Sequence, residues 1–344
     1  MKIRLAAVSL LFLAALPVRA DYLDPKRPET LTSLRSRAQA GDASAMAVLA
    51  WALRYGIGVE RKPDLSLELM KMSSEAGNPY GLFLLCEASD DGFGQPRDPA
   101  MAQALCTQAL PGLKELAPQD AYAQYMLGYL YDHGLGGLKR NPEEASRWYQ
   151  LSAAQGHPFA MNNLGFLYSQ KQDFEQALKW YKRAAEQGDP SGMVNLGYAY
   201  QHGQGAATDF AAALKWYKLA AEGGDPAAFN NIGSLYAEGQ GVTKSREEAV
   251  KWYRKAAEQG YAIAQYNLGL AYLLGQGAEQ SDVEALSWLV KAAEQDLEEA
   301  QFEAGRLYLD GNGVVQNREQ ARHWLELATA KGHRQAQDLL NRRF

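Results

Sequence analysis

The stretch AYQHGQGAA, residues 199–207, contains a small glycine loop, Gly203-Gln204-Gly205. Glycine pairs of this kind cradle phosphates when they follow a strand, open a helix and occur once. This one recurs. Gly239-Gln240-Gly241, Gly275-Gln276-Gly277 and Gly311-Asn312-Gly313 follow it at a constant period of 36 residues. Gly56-Ile57-Gly58, Gly92-Phe93-Gly94 and Gly134-Leu135-Gly136 precede it. A ligand loop has no reason to return at a fixed period, whereas a turn inside a structural repeat does.

Other residues keep the same beat. A Leu-Gly or Ile-Gly pair stands at 127–128, 164–165, 196–197, 232–233 and 268–269, with Ala304-Gly305 as a weaker copy. Trp148, Trp180, Trp216, Trp252, Trp288 and Trp324 hold one repeat position, the last five spaced by 36. Endings such as Ala184-Ala185-Glu186-Gln187-Gly188 follow. Between these marks the apolar residues fall at helical spacing, without two-residue alternation. Ala228, Ile232, Leu235 and Tyr236 share one helix face, and Ala249, Trp252, Tyr253, Ala256 and Ala257 the next. The glycine loop joins the two helices, because glycine takes positive φ at a helix end without a Cβ penalty. Asp189-Pro190 and Asp225-Pro226 are helix starts, a capping acid followed by a first-turn proline.

These elements, recurring in this order, resemble the Sel1-like repeat family, a relative of the tetratricopeptide repeats. The resemblance covers about residues 40–340 as eight repeats. It implies an all-α, right-handed α-solenoid of helix-turn-helix repeats whose concave face binds proteins. The expected organisation is a leader over 1–20, an N-terminal segment over 21–37 and two divergent repeats with an insertion over 38–118. Repeats three to eight then occupy 119–332, and a capping helix 333–344. Three departures stand out. Repeat four lacks the glycine loop and is four residues short. Repeat two has Cys86 where glycine is expected and Leu105-Cys106 where Trp-Tyr is expected. LPGLKELAP, residues 110–118, is an insertion with two prolines, expected as a bend, a docking feature or a subdomain boundary. The divergence of repeats one and two also suits an N-terminal cap, which solenoids need.

The N-terminus, MKIRLAAVSLLFLAALPVRA, has a positive start, an apolar run over 5–16 and small residues before Ala20. This pattern predicts a secretory signal peptide cleaved near Ala20, hence a periplasmic or secreted protein; an uncleaved anchor is the alternative. Removing residues 1–20 takes away Lys2, Arg4 and Arg19 and no acid, so the net charge falls from −5 to −8. An acidic chain argues against nucleic acid or anionic lipid as the partner, and no stable membrane insertion is expected. In an oxidising compartment an even cysteine count favours a bridge. Cys86 and Cys106 lie on paired helices at inward positions, so either a disulfide joins them or two buried thiols face each other.

No His-Glu-x-x-His, Gly-x-Ser-x-Gly or Ser-x-x-Lys occurs. His133 and His202 share a repeat position but lie two repeats apart, too far for one metal. No catalytic residue, metal ligand or cofactor is therefore assigned. A stripe at −6, −3, +1 and +4 from the packing glycine should instead line the concave side. It varies between repeats and turns aromatic in repeats two to five. Tyr122, Tyr125, Tyr129, Phe159, Asn162, Phe166 and Tyr198 are the expected partner-binding groove, because Tyr, Trp and Arg dominate interface hot spots. Asn163, Asn195, Asn231 and Asn267 recur, which marks them as repeat architecture.

The reading is a non-enzymatic, protein-binding solenoid. From the resemblance, its partner is an effector toxin that it neutralises as an immunity protein, such as a type VI secretion lipase. The alternative is an envelope scaffold or regulatory adaptor, and the third reading is a cell-wall or β-lactam-acting enzyme.

Overall fold

A computed structural model describes residues 28–344; the expected leader lies outside them. Helix α1 (Pro28–Gln39) precedes eight helical hairpins. They are α2/α3 (Ala43–Tyr55, Pro63–Glu75), α4/α5 (Pro79–Asp91, Pro99–Leu116), α6/α7 (Ala121–His133, Pro142–Ala154) and α8/α9 (Pro158–Gln170, Phe174–Glu186). Then come α10/α11 (Pro190–His202, Phe210–Glu222), α12/α13 (Pro226–Glu238, Arg246–Glu258), α14/α15 (Ala262–Leu274, Asp282–Glu294) and α16/α17 (Glu298–Asp310, Arg318–Ala330). Helix α18 (Arg334–Arg343) closes the stack. Each hairpin packs on the next, which makes the molecule an α-solenoid. No helix among the described residues is long and apolar enough to cross a membrane.

The two glycines of each loop serve different ends. Gly203 caps α10 in the left-handed region, at φ 67°, and its N–H donates to the Ala199 carbonyl. At Gly205 the deciding fact is crowding. A Cβ there would lie 2.2 Å from the Phe174 carbonyl oxygen, on the preceding hairpin. The first glycine ends a helix; the second lets neighbouring repeats touch backbone to backbone.

The glycine of the Leu-Gly pair admits an aromatic ring. A Cβ on Gly128 would stand 2.5 Å from the Tyr149 ring, and Gly165, Gly197 and Gly233 meet Tyr181, Tyr217 and Tyr253 in the same way. Each ring thereby buries itself in its own hairpin, worth about 1.5–3 kcal/mol by the apolar area removed from water. Repeat two solves the contact covalently. Cys86 stands in the glycine's place and Cys106 in the tyrosine's, and they form a disulfide with Cα atoms 5.6 Å apart.

The insertion after Cys106 does not interrupt the helix. Helix α5 continues through Pro111 to Leu116 and is 18 residues long, against 13 for its counterparts. Ala102, Cys106, Ala109 and Leu113 are buried at helical spacing, so the apolar stripe carries the helix past Pro111 and Gly112. Repeat one stands apart by its burial. Ten successive residues of α2, Ala45 to Arg54, are buried.

Candidate functional site

The first helices of the hairpins line the inside of the coil. In repeats one to four that inside is filled. Trp51, on α2, is 2% exposed. Its ring centroid lies 5.3 Å from Tyr122, 5.4 Å from Tyr125, 5.4 Å from His157 and 4.8 Å from Phe159. Repeat one thus reaches repeats three and four. Tyr55 adds an edge contact to Phe159 at 4.9 Å, and Phe83 meets Tyr129 at 5.4 Å.

This corrects part of the expected groove. Tyr122, Tyr125, Phe159 and Asn162 are buried. They hold the coil together rather than offering a surface, because the small rotation per repeat accumulates until α2 meets α6 and α8. Asn162 accepts a hydrogen bond from the Asn195 side chain at 2.9 Å, and Asn230 accepts one from Asn267 at 2.9 Å. Asn163 donates to the Tyr149 hydroxyl at 3.0 Å. The asparagines therefore knit the repeats to one another.

The remaining expected residues stay in reach. Phe166 is 49% exposed and Tyr198 44%, and Tyr129 is partly exposed. They occupy one repeat position on α6, α8 and α10, and so form a row across three neighbouring helices. Tyr129 stacks on His133 at 3.9 Å, and Tyr198 on His202 at 4.0 Å. Each imidazole Nδ1 lies 3.0 Å from the carbonyl oxygen four residues back, so Nδ1–H is the donor and the ring is held flat against its tyrosine. No group of three or more His, Cys, Asp or Glu residues suited to a metal ion occurs among the described residues.

Two polar features of the closed part were not anticipated. Arg54, 5% exposed, lies 3.5 Å from Glu87, bonds Asp91 and stands over Phe93 at 4.4 Å. Burial holds the Glu87 carboxyl above its ordinary range despite this guanidinium. His157 accepts the Ala160 N–H at Nδ1, 3.4 Å away, and so caps α8. Its Nε2 is buried without a hydrogen-bond partner, as is Trp51 Nε1. Burial depresses the His157 pKa to about 3, so the ring is neutral. Asp189, capping α10 through Ser191 and Gly192, is pushed the other way by burial, to about 7. One sequence signal pointed to this core: the unbroken apolar run MAVLAWAL, residues 46–53, which is hydrophobic on every helix face.

The coil also touches itself at the repeat ends. Arg61, in the α2–α3 connection, donates Nη1 to the Gly224 carbonyl at 3.1 Å, 163 residues away, and to Gln259 at 3.4 Å. Gly56 sits against Gly223; a Cβ on Gly56 would be 2.2 Å from the Gly223 oxygen. One superhelical turn therefore closes where repeat one meets the end of repeat five.

The Sel1 repeat family model matches residues 43–78, 79–110, 121–157, 158–189, 190–225, 226–261, 262–297 and 298–333. Among curated proteins, a Sel1-like repeat-containing protein of Acanthamoeba polyphaga mimivirus is 33% identical over 103 residues, 28% of this chain and 19% of that protein. The match thus spans about a fifth of that relative's length. Among solved structures, a Sel1 repeat protein from Oxalobacter formigenes is 28% identical over 99% of this chain and 97% of its own, with a TM-score of 0.59. A protective antigen of uropathogenic Escherichia coli is 27% identical over 92% of this chain and 76% of its own, at a TM-score of 0.41.

Proposed function

The chain belongs to the Sel1 repeat family, and we propose that it acts without catalysis, by holding a second protein on the inner face of its coil. The observation that carries this reading is the row Tyr129, Phe166 and Tyr198. Phe166 and Tyr198 are left about half in water on successive repeats, with Tyr129 partly exposed beside them, and such rings cost solvation unless something covers them. They also have the residue chemistry of interface hot spots. The rest of the inner face in repeats one to four is already spent on packing, so the row is where that half of the molecule can bind.

The finer reading is that the partner is a secreted effector toxin, neutralised by this protein as an immunity partner in the periplasm. The net charge of −8 without residues 1–20 favours a basic effector, and the pattern of those residues favours export. The test is affinity capture from envelope extract, with wild type beside Phe166→Ala/Tyr198→Ala. Both side chains are exposed, so the variant keeps its fold. A single stoichiometric toxic enzyme, captured by wild type and lost by the variant, is the expected result. A structural envelope protein in that place would make the molecule a scaffold. Undiminished capture by the variant would remove the row from the site.

A further inference from the structure

Beyond the inner face, the coil has a second concavity where its turns meet. The Gly56–Pro63 connection and the Gly92–Gly94 connection face the turns that follow α11, α13 and α15 across a cleft of about 1220 Å³. The far wall is built from helix C-termini. Each ends in carbonyl groups without intrahelical donors and carries partial negative charge. Glu222 and Glu258 are the last residues of α11 and α13; both are exposed and line the cleft, with Glu60 on the near wall. The lining holds one cation, Arg61, and it is engaged.

One side chain of this protein shows what such a wall accepts. Arg61 seats its guanidinium on the carbonyl of Gly224, the second residue after α11. Lys331 reaches the carbonyl of Asp296, the second residue after α15, as the ion-pair partner of the Asp296 carboxylate, 2.8 Å away. Gly260 holds the matching place after α13 and lines the cleft, and no side chain among the described residues is seated on it. The carbonyl one repeat before it thus carries a guanidinium, and its own opens into an acidic cleft.

We infer that this cleft takes a basic segment of a partner protein, an arginine or lysine resting on the Gly260 turn beside Glu258 and Glu222. This goes beyond the aromatic row, with which the cleft shares no residue, and rests on the proposed function only in that the partner is a protein. The occupant is a peptide cation because the equivalent turn one repeat earlier already holds a guanidinium and the other charged residues of the lining are acidic.

The probe is a fluorescein-labelled oligo-arginine peptide, titrated into the purified protein at low ionic strength and followed by anisotropy. Saturable one-to-one binding is expected, weakened about fivefold or more in Glu222→Gln/Glu258→Gln. Glu186→Gln/Glu326→Gln removes the same charge from exposed helix positions outside the cleft and should leave binding unchanged. Phe166→Ala/Tyr198→Ala should also leave it unchanged, so failure of the aromatic row and failure of the cleft are separate results. Absence of saturable binding would overturn the inference. So would equal weakening by the two glutamine pairs, which would reduce the effect to net charge.

Discussion

Repeats one to four and repeats five to eight are built from the same hairpin but are different kinds of object. In the first half a single buried cluster runs from Leu34 to Ala184 and takes in Trp51, Phe83, Tyr122, Tyr125, Tyr149 and Phe159. In the second half the buried residues fall into separate small groups, such as Ala213, Tyr217, Ile232 and Leu235, or Val250, Ala256, Ala257, Ala264, Leu268 and Ala271. Apart from the contacts of Gly223, Gly224 and Gln259 with repeat one, the second half is a nearest-neighbour array, where each repeat is stabilised by the two beside it. The first half is a domain-like core, because α2 touches repeats two positions and three positions away. The lesson is that one α-helix, apolar on all sides, converts a one-dimensional stack into a closed body.

The strongest way to break that contrast is Trp51→Ala. Removing a fully buried ring from between four others should cost about 3–5 kcal/mol, and denaturant unfolding followed by circular dichroism would show it. Leu289→Ala in the second half should cost less, about 2–3 kcal/mol, with loss confined to adjoining repeats in hydrogen exchange. Equal and equally local effects would mean that both halves are simple arrays. Next in size is reduction of the Cys86–Cys106 bridge, which closes a separation of 20 residues. Comparing midpoints with and without reductant should show about 3 kcal/mol lost, felt by the first half and not by α14–α17.

The pH dependence sharpens the comparison. His157 has a depressed folded pKa, about 3, against about 6.5 unfolded. Its contribution is therefore complete above pH 6.5 and is lost as pH falls toward 3, because the unfolded chain binds the proton first. Between pH 7 and pH 5 this amounts to about 2 kcal/mol. Asp189, raised to about 7, works in the opposite sense and loses stability as pH rises from about 4 to 7. The informative quantity is thus the difference in slope between wild type and His157→Asn, which keeps a capping side chain on α8. An unchanged slope would show that His157 is not the group responsible. The smallest effect is expected from Gly56→Ala. Positive φ and the approach to Gly223 should cost about 1–2 kcal/mol, with the closed turn loosening as a rise in radius of gyration by small-angle scattering. An unaltered radius would mean the turn stays shut without that contact.

The repeat frame was legible because every local rule pointed the same way. Period, capping acids and loop glycines agreed on where each helix begins and ends, and the inward positions of Cys86 and Cys106 agreed with a bridge. What was not legible is the pitch. It arises from a few degrees of rotation per repeat, summed over four or five repeats, and no local pattern encodes it. Tyr122 and Phe166 both lie on the expected inner stripe, at its −6 and +1 positions. One is buried and the other open because only the first is within reach of Trp51. Trp51 itself is the one tryptophan that stands off the repeat position, and that irregularity was the signal that could have told them apart. The insertion misled for a different reason: Pro111 and Gly112 are breakers, but the burial of Ala109 and Leu113 outweighs them.

The contact of Arg61 with Gly224 has a further consequence, for how such a chain can change its length. A tandem array grows or shrinks by whole units copied in the gene. A unit gained anywhere between Gly58 and Gly223 would carry the receiving carbonyl one repeat further round the coil, away from the arginine that meets it. A unit gained beyond Gly260 would displace nothing that the closed turn depends on. Repeats one to five are therefore fixed in number by their own geometry, while the part beyond Gly260 can be extended one copy at a time. Of the loops spaced by 36 residues, those at Gly275 and Gly311 lie in the part that is free to multiply.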